Sequence, residues 1–119
     1  MNPNLATTSA FLKAMQEKDL SRAPLAENVT YQSPLSGEPI RGRDRVCRFL
    51  AVYLPVISQV RVVRQIEEDD YVATVWQAET SFGSLSLVYI FRVENEQIAE
   101  IQAFYDPRGF LERMGRAGA

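Results

Sequence analysis

At 119 residues the chain is long enough to bury one core and too short for two, so a single domain spanning residues 1–119 is expected. Its 46% hydrophobic and 24% charged residues are those of a soluble globular protein, and a net charge of −2, with 13 Lys and Arg against 15 Asp and Glu, withholds the basic face that nucleic acid requires. No apolar run is long enough to span a membrane, and the N-terminus has neither the basic start nor the apolar stretch of a secretory signal, so a cytoplasmic protein without membrane or nucleic-acid partners is expected.

In chain order, residues 8–18 are predicted as a first helix, with Thr8 or Ser9 as cap and Phe11, Ala14 and Met15 on one apolar face. Residues 20–27 read as a second short helix interrupted by Pro24. Residues 29–33 alternate as a short strand that Pro34 ends. A loop over residues 35–42 contains Gly37 and Pro39 and leads into a third helix over residues 43–57. Val46, Phe49, Leu50, Tyr53, Leu54 and Ile57 form its stripe, Asp44 suits its first turn, and Pro55 kinks or ends its last.

From Gln59 the hydrophobic period changes to two. Strands are predicted over residues 60–66, 72–82, 85–93 and 98–105, joined by tight turns as an antiparallel meander. Asp106-Pro107 stops the last strand and opens a short helix with Phe110, Leu111 and Met114 on its apolar face. Helices first and a twisted sheet after make an α+β fold with the helices on one face. Val72, Thr74, Trp76, Ala78, Thr80 and Phe82 on one strand, with Leu85, Leu87, Tyr89, Phe91 and Val93 on the next, are expected to face them. The opposite face keeps Tyr71, Val75, Val88 and Ile90, enough apolar surface to predict a homodimer through the sheet.

The chain has no histidine, which removes Ser-His-Asp and Cys-His catalysis as usually built, and any chemistry falls to carboxylates, tyrosines or arginines. Cys47 has no partner for an internal disulfide and reads as a packing residue. The run Glu67-Glu68-Asp69-Asp70 reads as a solvated hairpin turn, since a metal site needs ligands converging from several segments; no metal and no cofactor are expected. Glu79 falls on the mixed face, and Arg41, Arg43, Arg45 and Arg48 make a basic patch whose expected role is pairing or solvation. Asp106 is the candidate catalytic residue: a carboxylate beside Phe104 and Tyr105 at a strand end, if desolvated, has the raised pKa of a general base. The competing role is a helix N-cap, in which bonds from helix amides lower the pKa instead. Tyr31, Tyr53, Trp76 and Tyr89 come from different elements on their inward faces and are the expected polar-tipped lining of a pocket.

The order of elements, carried by TYQSPLSGEPIRGRDRV (residues 30–46) and LVYIFRVENEQIAEIQAFYDPR (residues 87–108), resembles the nuclear-transport-factor-2-like superfamily. Within it the SnoaL-like branch is the most similar, with its polyketide cyclases, ketosteroid isomerases and limonene epoxide hydrolases. The resemblance implies a cystatin-like cone: a curved antiparallel sheet wrapped around the N-terminal helices, with an internal pocket. It implies a small hydrophobic ligand in a pocket formed by Phe11, Met15, Tyr31, Phe49, Tyr53, Trp76, Tyr89 and Tyr105, and an isomerase, cyclase or hydrolase acting by proton transfer. The alternative is a non-enzymatic assembly module on the same fold. The residues that carry isomerase chemistry are replaced here: the base position holds Ser33, the tyrosine position of the oxyanion hole holds Phe11, and the protonated-Asp position holds Tyr89. Of the Asp-Arg-Asp set of the epoxide hydrolases, Arg92 and Asp106 are present, but Arg92 alternates to the outer face and no second inward Asp is found.

Overall fold

The computed structural model describes residues 3–108 and residue 112. Helix α1 (Pro3–Gln16) begins earlier than the apolar stripe suggests, with Pro3 as its first residue, where the missing N–H costs nothing. Thr8 is therefore inside the helix, not its cap; it is buried and donates its hydroxyl to Leu5 O and to Gln65 Oε1 of the sheet. The chain turns out of the helix two residues after Gln16, at Lys18, whose φ of 58° is left-handed, with Asp19 N–H reaching back to Ala14 O.

The predicted second helix is a single 3-10 turn (Leu20–Arg22), capped by Asp19 through a bond from Ser21 N–H. Leu25 to Glu27 of the predicted span belong to strand β1 (Leu25–Gln32). Pro24 explains the correction: it biases Ala23 to an extended conformation, and Pro24 O accepts Ile98 N–H, which draws the chain into the sheet.

The following loop contains the two-residue strand β2 (Ile40–Arg41), which the sequence reading missed. Gly42 ends it at a φ of 98°, donating its N–H to Val29 O while its carbonyl accepts from Val46 of helix α2 (Arg43–Ala51). A side chain at this φ is strained, so glycine is what lets the chain turn from sheet into helix. Helix α2 is shorter than predicted and stops at Ala51, four residues before Pro55, where the proline ring would meet the Ala51 carbonyl. A 3-10 turn (Leu54–Val56) follows.

Strands β3 (Ile57–Glu68), β4 (Tyr71–Thr80), β5 (Gly83–Glu94) and β6 (Gln97–Phe104) are the predicted antiparallel meander. The sheet as a whole is mixed, with strand order β2-β1-β6-β5-β4-β3, because β1 pairs parallel to β6. The expected all-antiparallel sheet is corrected on this point. The core lies between the two helices and the predicted inner face, where Val72, Thr74, Trp76, Ala78, Leu87, Tyr89, Phe91 and Val93 are all buried. The fold is α+β, and no helix among the described residues is long and apolar enough to cross a membrane. The short helix expected to carry Phe110, Leu111 and Met114 lies outside the described residues.

Candidate functional site

Between α2, the loop after β1 and the inner face of the sheet lies a cavity of about 50 Å³. Its floor is made by buried side chains: Met15 of α1, Tyr31 of β1, Leu50 of α2, Trp76 and Ala78 of β4, and Leu87 and Tyr89 of β5. Half-buried Leu35, Phe49, Tyr53, Leu85 and Tyr105 surround its mouth.

Rings dominate the wall because four elements each turn one inward. Trp76 and Tyr89 meet edge-on at 5.1 Å, Tyr31 stands across Tyr89 at 6.2 Å, and Phe49 bridges Tyr31 and Tyr53 at 5.5 and 5.3 Å. Edge-on and tilted contacts interlock less completely than aliphatic packing would and bring the polar tips together. The hydroxyls of Tyr31 and Tyr89 lie 3.2 Å apart. Burial pushes both well above the ordinary tyrosine range; their mutual bond restrains Tyr31 and raises Tyr89 further. Tyr105 and Tyr53 are also raised, by partial burial. All four hydroxyls are neutral at physiological pH.

Ser33, buried at the end of β1, is close enough to Tyr31 and Tyr105 for its hydroxyl to hold their pKa values down against burial. Its Oγ also accepts N–H bonds from Leu35 and Ser36, each at 3.2 Å, and Ser36 Oγ accepts Ser33 N–H at 2.8 Å. These bonds close the turn after Pro34 and fix the loop that brings Leu35 to the mouth.

Of the eight residues expected to line the pocket, seven do: Met15, Tyr31, Phe49, Tyr53, Trp76, Tyr89 and Tyr105. Phe11 does not. It is fully buried behind Tyr89, in contact with Phe91 at 5.5 Å and Tyr89 at 6.3 Å, one turn of α1 further from the mouth than Met15. The other lining residues, Leu35, Leu50, Ile57, Ala78, Thr80, Leu85 and Leu87, were not among the expected pocket residues, though Ala78, Thr80, Leu85 and Leu87 were expected on the inward sheet face. Leu50 and Ile57 belonged to the predicted helical stripe, but nothing in a stripe distinguishes a cavity wall from plain core.

Asp106 requires a larger correction. It is exposed and outside the cavity, and its carboxylate accepts bonds from the Arg108 backbone N–H and guanidinium, the latter at 2.7 Å. Arg108 holds the carboxyl down at about 2, the direction of an anchored cap and opposite to that of a general base at neutral pH. Arg92 is on the outer sheet face, as its alternation predicts, bonded to Glu94. Among the described lining residues there is no carboxylate, lysine or arginine. Cys47 lies outside the cavity, half-buried, with its thiol pushed up by burial and by Asp44. Glu67 and Glu68 end β3, and the turn beyond them places Asp69 at a φ of 54°.

Over residues 4–117 the sequence matches a family described only as a domain of unknown function, DUF4904. The chain belongs to the DUF4904 family. No curated protein sequence matches it. Among solved structures it is similar to an NTF2-like protein of unknown function from Cytophaga hutchinsonii (17% identity, 91% of this chain and 94% of that one, TM-score 0.77). It is similar to a steroid delta-isomerase from Pseudomonas aeruginosa (21% identity, 98% and 92%, TM-score 0.77). It is also similar to TerC, co-crystallised with polyporic acid (19% identity, 93% and 97%, TM-score 0.78). The DUF4904 chain thus has the NTF2-like fold, as its element order predicts. At these identities the likeness is one of fold.

Proposed function

We propose that this DUF4904 chain is a small-molecule-binding domain whose cavity takes a neutral, mostly apolar ligand. One observation supports this above the others: the cavity wall combines aromatic and aliphatic side chains with a few hydroxyls and one indole N–H, and no described lining residue is ionised at neutral pH. Such a wall derives affinity from desolvation and orientation from its few polar groups. Proteins of the same fold supply a fold-level analogy, one being a steroid delta-isomerase and another co-crystallised with polyporic acid.

Proton transfer requires a base within reach of the substrate. Asp106 is outside the cavity and Ser33 is committed to its turn, so binding is favoured over isomerase, cyclase or hydrolase activity. At about 50 Å³ the cavity is smaller than the roughly 300–1,000 Å³ of pockets that hold drug-sized ligands, so a larger ligand must displace the mouth residues Leu35, Tyr53 and Tyr105. Native mass spectrometry of the protein as purified, followed by titration of neutral hydrophobic compounds against the emission of Trp76, the one tryptophan, tests the reading. A small organic adduct lost on denaturation, or a compound that shifts both emission and melting temperature, is the expected result. A protein that purifies free and responds to none of the compounds counts against it.

We also propose a homodimer through the outer face of the sheet. Phe104, Tyr71 and Ile66 are exposed there, and Val75, Val88 and Ile90 are half-buried, an apolar strip across β3 to β6 that is flanked by Arg64, Arg92 and Gln102. Light scattering at tens of micromolar tests it, and a monomer at that concentration overturns it.

A further inference from the structure

We propose that a second copy of the chain docks on the outer sheet face with its two-fold axis parallel to the strands and running between β5 and β6, so that Glu100 of each copy pairs with the partner's Arg92. This rests on the dimer reading above and goes beyond it by fixing how the two faces meet.

One row of opposed residues crosses the whole outer face: Arg41 on β2, Thr30 on β1, Glu100 on β6, Arg92 on β5, Tyr71 on β4 and Glu68 on β3. All six are exposed or half-buried. In charge the row reads plus, neutral, minus, plus, neutral, minus. Reversed end for end, every plus falls on a minus, so the row is the complement of its own reversal. A two-fold axis along the strands performs that reversal. Centred between β5 and β6, it sets Glu100 against the partner's Arg92, Thr30 against the partner's Tyr71, and Arg41 against the partner's Glu68. An axis lying directly over β5 stacks Arg92 on the partner's Arg92, and one over β6 stacks Glu100 on the partner's Glu100. An axis along the row itself sets every charge on its own copy. Like charges apposed across an interface are strongly unfavourable, which leaves the first arrangement.

The charges are available for it. Among the described residues Arg41, Glu68 and Glu100 have no ion-pair partner, and Arg92, bonded to Glu94 through Nη1, keeps further N–H groups. Shape agrees with charge. Tyr71 stands out at 45% exposure, while a hollow of about 250 Å³ opens beside Thr30, lined by Arg41, Arg92, Glu100, Gln32 and Gln102. The axis that pairs the charges brings the partner's Tyr71 over that hollow. Further along the same strands Phe104 opposes Val88, so the axis also stacks Phe104 on the partner's Val88. Packed sheets lie about 10 Å apart, a gap that an arginine and a glutamate close between them. Sheet twist makes the corners diverge, so the central Glu100–Arg92 pairs hold the register.

Charge reversal tests the arrangement, with association read by light scattering and native mass spectrometry at tens of micromolar and folding of each variant by circular dichroism. Glu100→Arg alone and Arg92→Glu alone are each expected to associate about a hundredfold more weakly than the wild type, because each puts two like-charged contacts into the interface. Mixed in equal amounts, the two single variants are expected to form a one-to-one heterodimer, since both contacts are then of opposite sign. Neither chain of that mixture has its own Glu100–Arg92 pairing repaired, so the rescue reads contact between copies and not the integrity of the sheet. The chain carrying both substitutions is expected to dimerise like the wild type, and it decides the matter where a single variant does not fold. A wild-type dimer whose folded single variants dimerise unchanged, whose mixture gives no heterodimer, or whose folded double variant stays monomeric overturns this register and leaves the dimer reading standing. A wild-type monomer overturns both.

Discussion

Thr8 on α1 and Thr74 on β4 are both fully buried, and they share one acceptor: Gln65 Oε1 of β3 takes the hydroxyl of Thr8 at 2.7 Å and that of Thr74 at 3.0 Å. The other end of the same amide donates from Nε2 to Ser9 Oγ at 3.0 Å, so one side chain ties the first helix to two strands. Replacing Gln65 by Ala removes the shared acceptor from two hydroxyls in a dry interface. Gln65→Ala is expected to cost about 2 kcal/mol, read in urea as a lower midpoint with an unchanged slope. Thr74→Val, which removes the polar atom along with its need for a partner, is expected to cost less than half as much.

The turn between β5 and β6 places Asn95 at a φ of 52° and Glu96 at 61°, both left-handed. Consecutive left-handed residues match the twist of a two-residue hairpin, and the preferred pair there is Asn-Gly. Glu96 has a side chain where glycine fits without strain, at about 1–2 kcal/mol, while glycine's extra freedom in the unfolded chain costs about 0.5–1 kcal/mol. The difference predicts that Glu96→Gly stabilises by about 0.5 kcal/mol, seen as a small rise in the urea midpoint.

Asp106 is expected to titrate at about 2 in the folded chain, below its ordinary 3.8, because Arg108 bonds to its ionised form. A carboxyl lowered on folding contributes stability that is present above its unfolded pKa and is lost as pH falls through the folded one, here between about 3.8 and 2. Carbon-13 NMR of the Asp carboxyls measures the titration. Asp106→Asn is expected to leave ligand binding at neutral pH unchanged within twofold, since the residue is outside the cavity. A loss of binding beyond tenfold in a folded Asp106→Asn variant would restore the residue as a functional group.

The meander and the inward face were legible because a period of two persists through β4 and β5 for ten or more residues. The parallel pairing of β1 with β6 was not, since residues more than sixty positions apart meet there and no local pattern encodes which edge a strand joins. Tyr31, Tyr53, Trp76, Tyr89 and Tyr105 were legible as cavity lining for a related reason: an aromatic ring with a polar tip on an inward face is large and needs a partner for that tip. Phe11 and Phe49 are both phenylalanines on helix faces, yet Phe49 lines the cavity and Phe11 went to the solid core, a difference that residue type does not carry. Asp106 misled because a strand-end carboxylate beside two rings looks the same in sequence whether it turns inward or bonds outward to a residue two positions on. Ser33 was noticed only as a missing base; that its hydroxyl organises both a turn and two tyrosines depends on contacts that no spacing rule expresses.

Tyr31 and Tyr89 make an alkaline limit to stability. Burial raises both above the ordinary 10, so the folded chain keeps them protonated where the unfolded chain does not. For groups raised on folding, the stability they support is fully present below the unfolded pKa and is lost as pH rises above it, so the chain is expected to weaken progressively above pH of about 10. Absorbance at 295 nm, which follows tyrosinate, is expected to show Tyr31 and Tyr89 ionising only together with loss of the far-ultraviolet circular dichroism signal. Tyr31→Phe with Tyr89→Phe is expected to move the unfolding midpoint to higher pH, because the group that ionises in the unfolded chain is gone. Ionisation of Tyr31 and Tyr89 in a chain that stays folded would show that the pair is solvated, and the cavity floor would then be open to water.

Phe104 is the sharpest probe of the outer sheet face. It is 52% exposed at the end of β6, paired with Val88 of β5, and its side chain points away from the cavity. A dimer that covers this face places the ring at a dry contact, where a lysine would bury a charge without a partner. Phe104→Lys is therefore expected to convert the dimer to a monomer at tens of micromolar, read by light scattering. Its effect on the monomer's own stability should be within about 0.5 kcal/mol, because no core residue loses a neighbour it depends on. If the wild type and Phe104→Lys scatter as the same species, whether monomer or dimer, the apolar face of β3 to β6 is not the assembly surface.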